Sequence, residues 1–477
     1  MSRDRRTREN ERLSPSNLQA SFRGRVIGPQ DDDYDEARAV FAGGIDRHPA
    51  VIIRVADDGD VARAIALARD TGLELAVRSG GHSGAGHSVS EGGIVIDLAA
   101  MQRLEIDPES HTAWAQTGLT SARYAASASD FGLATGFGDT GSVGIGGLTL
   151  GGGVGFLVRK FGLTIDDVLA AEIVTADGEL LRVDEEHHPD LFWALRGGGG
   201  NFGVATRFCY RLHELDTAFG GMLILPATPE VIREFVVVAG AAPEELSTIA
   251  NIMPAPPMPF LPEDMVGQIV LIGSMFYAGG IEEGDRAVAP FRALATPLAD
   301  AVRPMRYPEI MEAPEPGYHP MAASHSFFTD AVDIQAAETI VAQLQSSSAM
   351  MAVTQLRVLG GAMARVPVDA TAFAHRRRRI LANVAALYQH PEEAALHTAW
   401  ASDLAAALRR GEPGVYVNFV NDEGEARVHE AYPGPTWERL AAIKARYDPA
   451  NLFHLNQNIP PAETEGERVA GRAGAAR

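Results

Sequence analysis

The residues best suited to chemistry lie in one glycine-rich stretch, residues 75–88, which reads LAVRSGGHSGAGHS. An apolar run ends at Arg78, and the loop that follows carries His82 and His87, each followed by a serine. Glycine lets a backbone approach a ligand closely, so its N–H groups can point at phosphate or ring oxygens. A histidine held there offers a nucleophile or a hydrogen-bonding group. For His87, a loop residue bonded to backbone is the simpler interpretation.

Two more glycine-rich segments follow, at residues 136–155 and 197–203. They match the pattern G-x-G-x-x-G at Gly136, Gly138 and Gly141, and at Gly198, Gly200 and Gly203. Dinucleotide binding through this pattern needs a strand before the glycines and a helix after them. Both segments follow helix-like runs, and the second leads into a strand, so nicotinamide binding by this route is not expected. Three glycine loops in one half of the chain predict a large, elongated, phosphate-bearing ligand.

Other motifs are weaker. No Walker A, G-x-S-x-G or zinc-like spacing occurs. The run HRRRR at residues 375–379 could receive an anionic substrate, but a solvated face is the better interpretation of a charge run.

Length, charge and cysteine content limit the number of domains and the partners that the protein could bind. The chain has 477 residues, which predicts two domains, and a net charge of −21, which disfavours nucleic acid and anionic membranes as partners. The single cysteine, Cys209, allows no internal disulfide. The charged N-terminus does not resemble a secretory signal and no run is long enough to span a membrane, so we expect a cytoplasmic location.

The pattern of predicted helices and strands also indicates two domains. Residues 51–78 read as β–α–β, strands follow at 94–98 and 112–118, and Thr120 can cap a helix that runs to about Phe131. Asp177-Gly178 predicts a hairpin between strands 172–176 and 179–183. Beyond residue 215, helices such as 333–345 and 392–410 alternate with strand candidates at 266–276, 324–328, 352–360 and 380–388.

Several blocks together resemble a known family. RSGGHSGAGHS, GGLTLGGGVGFLVRKFGLTIDDVL, DLFWALRGGGGNFGV and YDPANLFHLNQNIP resemble, in order, the berberine-bridge-enzyme-like flavoprotein oxidases of the vanillyl-alcohol-oxidase superfamily. The resemblance covers roughly residues 40–461. It implies an α+β fold, with a two-part PCMH-type FAD-binding domain and a substrate domain whose antiparallel sheet is covered by helices. The expected division is an N-terminal arm (1–40), the FAD-binding domain (41–215), the substrate domain (216–412), a C-terminal segment completing the FAD domain (413–461) and a disordered tail (462–477).

The resemblance also implies how FAD is held. The family's flavin-linked histidine corresponds to His82, and the second, cysteine-linked attachment of many members falls on Thr140, so single attachment is expected. Val143 corresponds to a position associated with O₂ access; an ordinary apolar contact is the alternative. The other implied cofactor-binding residues are Arg78, Ser79, Gly80, Gly81, Ser83, Gly86, His87, Gly144, Gly147, Leu148, Gly151, Gly152, Gly155, Ile173, Tyr416, Asn418 and Asn456.

The catalytic residues are less clear. Sugar-oxidising members carry a proton-accepting tyrosine in a segment like Y-x-N-Y, and this chain has Phe419 at that position. On a strand, Tyr416 and Asn418 would share a face, so Tyr416 is the remaining candidate base, with a core tyrosine as the alternative. Gln355 and Arg357 share one strand face, and His325 lies on another strand; these could also line the substrate side.

The resemblance therefore implies an FAD-linked oxidase that takes hydride from a small alcohol, sugar or secondary metabolite and returns electrons to O₂, giving H₂O₂. A dehydrogenase with another acceptor and a non-catalytic, flavin-bearing binding protein are the alternatives.

Overall fold

The structure, a computed structural model, describes residues 14–259, 261–311 and 317–463. The predicted frayed start (residues 1–13) and most of the predicted disordered tail (residues 464–477) lie outside these ranges. Among the described residues, no helix combines the length and apolar character that crossing a bilayer requires.

A small, mostly parallel sheet carries the first glycine loop. Its strands are β1 (Arg25–Ile27), β2 (Val51–Arg54), β3 (Leu75–Arg78) and β4 (Ile94–Asp97), in the order β1-β2-β4-β3. The associated helices are α1 (Pro15–Gln19), α2 (Tyr34–Arg38) and α3 (Asp58–Thr71). Helix α3 connects β2 to the parallel β3, which confirms the predicted β–α–β unit; the Asp57 side chain caps its start, and Gly72 ends it at φ 69°. Because β1 pairs with β2, the expected boundary at residue 40 falls beyond a strand of this same sheet.

An antiparallel sheet carries the other two glycine segments. Its strands are β5 (Leu104–Asp107), β6 (Thr112–Gln116), β8 (Val168–Val174), β9 (Leu180–Val183) and β10 (Val204–Arg211), in the order β5-β6-β10-β8-β9. The short strands β7 (Leu133–Ala134) and β11 (His213–Glu214) pair with each other. The helices here are α4 (Ser121–Ser129), α5 (Ile145–Gly151), α6 (Val158–Phe161) and α7 (Pro189–Leu195).

Local signals in this region are mostly confirmed. The Thr120 side chain accepts the Arg123 N–H at the start of α4, and Gly178 turns the β8–β9 hairpin at φ 89°. One expectation was wrong: Gly136 follows strand β7 and not a helix, because chain 133–134 leaves α4 to pair with β11. The antiparallel pairing of β7 still excludes a nucleotide-binding β–α–β unit.

The largest sheet is antiparallel throughout. Its strands are β12 (Ala218–Pro226), β13 (Leu246–Pro254), β14 (Ile269–Tyr277), β15 (Ala299–Asp300), β16 (Arg303–Met305), β17 (Met321–Thr329), β18 (Met351–Val358) and β19 (Ile380–Tyr388). The order is β15-β12-β14-β13-β18-β19-β17, with β16 beside β12. The helices are α8 (Pro229–Ala241), α9 (Ile281–Arg292), α10 (Ile334–Ser346), α11 (Ala362–Arg365) and α12 (Ala394–Leu408). Residues of α8, α9, α10 and α12 pack with one face of the sheet, which confirms the predicted helix-covered architecture.

The chain then returns to the glycine loops. A 3₁₀ turn (Val417–Phe419) precedes α13 (Glu425–Ala431) and α14 (Pro435–Tyr447). The expected strand at 416–419 was wrong, because the Phe419 and Val420 N–H groups bond to Tyr416 and Val417 within the turn. The Lys444 ammonium, wholly buried, donates to the Asn201 carbonyl at 2.7 Å, the Asp448 carboxylate at 2.6 Å and the Phe453 carbonyl at 2.9 Å. This network joins the C-terminal segment to the third glycine loop.

The HRRRR run is only partly the expected solvated face: Arg377 and Arg379 are exposed, but the first two residues of the run are buried. Arg376 is wholly buried and donates to Asp166 and Thr371, and His375 is buried against the Glu430 carbonyl. These two residues connect the large sheet's unit to its neighbours, and they do not line the cavity described next.

Candidate functional site

A cavity of about 820 Å³ lies between the glycine loops and the uncovered face of the large sheet. We call its glycine-loop side the floor, formed by lining residues within 79–88, 138–148 and 199–205. We call its sheet side the roof, formed by the lining residues of β12, β13, β14, β17, β18 and β19 and of the segment 256–258 that follows β13. Residues 416–421 and 453–457 close the cavity between them.

Close backbone packing holds the floor. A Cβ on Gly80 would collide with the Gly144 amide, and a Cβ on Gly144 would collide with Gly80 and Ser79. The Ser79 hydroxyl donates to the Thr117 carbonyl at 2.5 Å and accepts the Gly146 N–H at 3.3 Å. Glycine is therefore required where the first two loops cross.

His82 is fixed at one end of the floor. Its Nε2 lies 3.1 Å from the Ser142 hydroxyl, and its ring stacks on Phe41 with centroids 4.3 Å apart. Desolvation by burial lowers the pKa of His82 to about 4, so the imidazole is neutral near neutral pH. Burial, with a smaller contribution from the Arg47 charge, likewise lowers the pKa of His87 to about 4. Both histidines line the cavity.

The floor leaves space and unpaired polar atoms for a ligand. Gly147 and Gly200 line the cavity, and a Cβ built on either would meet nothing within 4 Å. Ser88 Oγ and Asn456 Oδ1 are buried, belong to lining residues and have no hydrogen-bond partner among the described residues. Buried polar atoms are rarely left unpaired, so these positions fit a polar, elongated ligand that touches backbone.

The structure brings most sequence-predicted site residues to this cavity. The lining includes Ser79, Gly80, Gly81, His82, Ser83, His87, Thr140, Val143, Gly144, Gly147, Leu148, Gln355, Arg357, Tyr416, Asn418 and Asn456. Cys209 is buried in β10 outside the lining, and burial raises the pKa of its thiol.

Other predicted residues lie behind the lining. Arg78 pairs with Asp97 at 2.9 Å, Ile173 is wholly buried in the core of the second sheet, and His325 pairs with Glu423 at 2.9 Å. The remaining ones are glycines whose Cβ would meet protein atoms: Gly86 against Ile45, Gly151 against Asn418, Gly152 against Phe373 and Tyr416, and Gly155 against Phe137. These residues support the lining and do not form it.

The candidate base Tyr416 is held as an acceptor. Its hydroxyl accepts the Gly153 N–H at 2.9 Å and the Asn418 side-chain N–H at 2.8 Å. Desolvation by burial is the main cause that raises its pKa to about 12. Asn418 also donates to the Leu148 carbonyl at 3.0 Å, so the two side chains together fix the end of α5. This geometry favours the structural interpretation of Tyr416.

A hydrogen-bonded chain crosses from floor to roof, and the sequence reasoning missed half of it. Arg357 donates to the Asp139 carboxylate at 2.5 Å and to Gln355 at 3.3 Å, and Gln355 donates to Asn251 at 2.8 Å. The Arg357 guanidinium lies 5.1 Å from the centre of the Phe419 ring. Asp139 could have been found from its place beside Thr140, whereas Asn251 lies in β13, which no sequence pattern identified.

Comparisons with known proteins match this geometry. The family described as FAD binding domain matches residues 49–184, and the family described as berberine and berberine like matches residues 415–460. (R)-6-hydroxynicotine oxidase of Paenarthrobacter nicotinovorans is 31% identical over 459 residues, which span 92% of this chain and 97% of that protein. The chain belongs to the berberine-bridge-enzyme-like FAD-linked oxidases. Its fold confirms the PCMH-type architecture.

One further relative and one solved structure match the chain over most of its length. Xylooligosaccharide oxidase of Thermothelomyces thermophilus is 27% identical, over 87% of this chain and 88% of that protein. The crystal structure of 6-hydroxy-D-nicotine oxidase from Arthrobacter nicotinovorans is 28% identical, with a TM-score of 0.82, over 94% of this chain and 99% of that one. The chain is therefore an FAD-linked oxidoreductase, an enzyme and not a non-catalytic binding protein. The open glycines and unpaired polar atoms of the floor fit FAD.

Proposed function

We propose that the protein is an oxidase of a small organic substrate, with FAD attached covalently to His82 alone and O₂ as electron acceptor, giving H₂O₂. When bound, FAD accepts a hydride from the substrate and passes two electrons on. The observation that carries the proposal is the position of His82. Its neutral, fixed imidazole lies in the glycine-rich floor of the cavity, opposite a roof made of side chains.

His82 has the properties of an attaching nucleophile. Burial keeps the imidazole neutral, and Phe41 and Ser142 fix its ring. In the tautomer whose Nε2–H donates to Ser142, the Nδ1 atom presents a free lone pair, and we propose Nδ1 as the point of attachment.

Thr140 and Val143 complete this assignment. Thr140 lines the cavity where many family members carry cysteine, and its hydroxyl donates to Asp139 at 3.2 Å. An aliphatic hydroxyl with this bond is a poor nucleophile, which supports single attachment. Val143, also in the lining, supports O₂ access in this proposal.

Acid precipitation tests the attachment. Flavin absorbance should stay with the wild-type pellet and pass into the supernatant for the His82→Ala variant. His87→Ala is the matched control, because His87 has the same lowered pKa and lines the same floor. Wild-type flavin that washes out would overturn covalent attachment, and pellet-bound flavin in His82→Ala would place it elsewhere.

A second measurement tests the acceptor. Flavin reduced chemically without oxygen should be reoxidised quickly on mixing with air-saturated buffer, with release of peroxide. Slow reoxidation that is accelerated only by a quinone would assign the protein as a dehydrogenase instead.

A further inference from the structure

The cavity lining contains one buried ion pair that the proposed function does not use. Among the described lining residues, Asp139 is the one carboxylate and Arg357 the one guanidinium. Arg357 Nη2 and Nε lie 2.5 Å and 3.2 Å from Asp139 Oδ2, and the side chains are 7% and 23% exposed. Because the two charges compensate each other, together they favour an uncharged ligand.

Each partner keeps unused hydrogen-bonding capacity. Arg357 has five N–H groups and makes three side-chain bonds, two to Asp139 and one to Gln355, so two N–H groups remain. Asp139 Oδ1 accepts only the Thr140 hydroxyl, so one lone pair remains. The pair therefore offers a donor and an acceptor side by side, which is the complement of a hydroxyl group.

The roof around this pair is largely apolar. Lining residues of this kind are Met222, Ile249, Met253, Pro256, Met258, Ile272, Met351 and Val353. Methionine side chains adapt to irregular apolar shapes. Asn383 also lines the roof, in register with Gln355, and its side chain has no hydrogen-bond partner among the described residues. The roof thus has one polar corner, formed by Asn251, Gln355, Arg357 and Asn383 on three neighbouring strands. Ser274 and Ser324 add two hydroxyl groups, and the remaining roof lining is apolar.

Resting on the proposed function, we propose that Asp139 and Arg357 recognise the substrate, and that the substrate is a compact, uncharged alcohol with an apolar body. Its hydroxyl donates to Asp139 and accepts from Arg357, and the apolar body lies against the methionines.

Other substrate classes match this corner less well. An ammonium group has only donors and would face the Arg357 charge, and a carboxylate group has only acceptors and would face Asp139. An oligosaccharide carries hydroxyls on every ring, and the apolar wall would strip them of water without replacing their hydrogen bonds.

Three shape-matched probes test the inference. Cumyl alcohol, cumylammonium and the corresponding carboxylate share one apolar body, and none has a hydrogen on the carbon that bears the polar group, so none can be oxidised there. Dissociation constants are measured from the flavin absorbance change of the loaded protein at neutral pH. The alcohol should bind wild-type protein at least about tenfold more tightly than either charged probe.

Charge variants should then reverse the preference. Asp139→Asn leaves the Arg357 cation unpaired, so the carboxylate probe should gain about tenfold in affinity and the alcohol should lose affinity. Arg357→Gln leaves Asp139 unpaired, so cumylammonium should gain instead. The opposite directions distinguish recognition from general damage, which would weaken all three probes together.

A matched control is available outside the cavity. Arg207 binds Glu172 through two hydrogen bonds of 2.6 Å, and neither residue lines the cavity, so Glu172→Gln should leave the probe order unchanged. An unchanged probe order in both charge variants, or a charged probe that binds wild type as tightly as the alcohol, would overturn the inference. Failure of the proposed function is distinct, because it appears in the acid-precipitation and reoxidation measurements, whereas the probe affinities report only on the substrate side of the cavity.

Discussion

The floor and the roof of the cavity differ in whether backbone or side chains form their surface. The floor is mostly backbone: glycine loops that cross so closely that Gly80 and Gly144 leave no room for a side chain. The roof is mostly side chains that project from regular antiparallel strands, such as Met253 and Asn251 of β13. A site made of backbone restricts its sequence to glycine and small residues, whereas a strand face accepts many side chains. The floor is thus suited to a constant cofactor, and the roof to a substrate that differs among relatives.

The largest loss of stability is expected from a methyl group added where the first two floor loops cross. Gly144→Ala places its Cβ against the Gly80 backbone and Ser79, so we expect a loss of about 3 kcal/mol in the free energy of unfolding. Urea unfolding of the apoprotein measures it. Gly240→Ala is the control, because this exposed position in α8 has nothing within 4 Å of the new Cβ and should gain about 0.5–1 kcal/mol. Equal effects at the two sites would contradict a backbone-built floor.

Acid should lower the stability of the folded protein through His87 in the floor. The pKa of His87 is about 4 in the folded protein, against an ordinary 6.5, so between these values the unfolded chain binds the extra proton. Stability from this group is present above about pH 6.5 and is lost as pH falls toward 4, by roughly 3 kcal/mol. Unfolding free energies from pH 7 to 4 should therefore fall less steeply in His87→Gln than in wild type. Parallel curves would exclude the effect.

Filling open space in the floor should weaken FAD binding but leave the stability of the fold unchanged. Gly147→Ala adds a methyl group that meets no protein atom within 4 Å, so apoprotein stability should change by less than about 0.5 kcal/mol. FAD should bind roughly tenfold more weakly because the methyl occupies space beside it. FAD titrated into apoprotein of the His82→Ala background, in which no covalent bond to residue 82 can form, gives the affinity from the change in absorbance. If FAD binds unchanged, it does not approach Gly147.

The roof should tolerate change best. Met253→Leu preserves volume at a half-buried lining position, so we expect less than about 1 kcal/mol in stability and no change in FAD affinity. Thermal unfolding checks the stability, and FAD titration in the same His82→Ala background checks the affinity. A loss as large as that of Gly144→Ala would remove the distinction between floor and roof.

The contrast between a backbone floor and a side-chain roof also explains which site residues could be predicted from the sequence. Gly80, His82 and Gly144 were identified because close backbone approach admits few residue types. Strands β12 and β13 and the helix between them were missed, because their roles depend on a sheet that is formed by distant segments. Asn251 could not be recognised without knowing that it pairs with Gln355 of the neighbouring strand β18.

Tertiary context also corrected particular residues. Tyr416 and Asn418 reach the cavity together, but through a 3₁₀ turn and not a strand face, because their segment bonds to itself. His375 and Arg376 read as part of a solvated run, yet they are buried, since each finds a partner far along the chain in Glu430 and Asp166. Sequence spacing does not reveal such long-range partners.

The buried Lys444 has a consequence for how the protein is made in the cell. Its ammonium binds the Asn201 carbonyl of the third glycine loop and the Phe453 carbonyl near the end of the described chain. During synthesis, residues 197–203 leave the ribosome long before either partner exists. The nascent FAD-binding unit therefore lacks this bond to the third glycine loop until nearly the whole chain has emerged, and we expect the loop to reach its final position late. An expression fragment that stops at residue 412 would lack Lys444 and leave the Asn201 carbonyl without this donor.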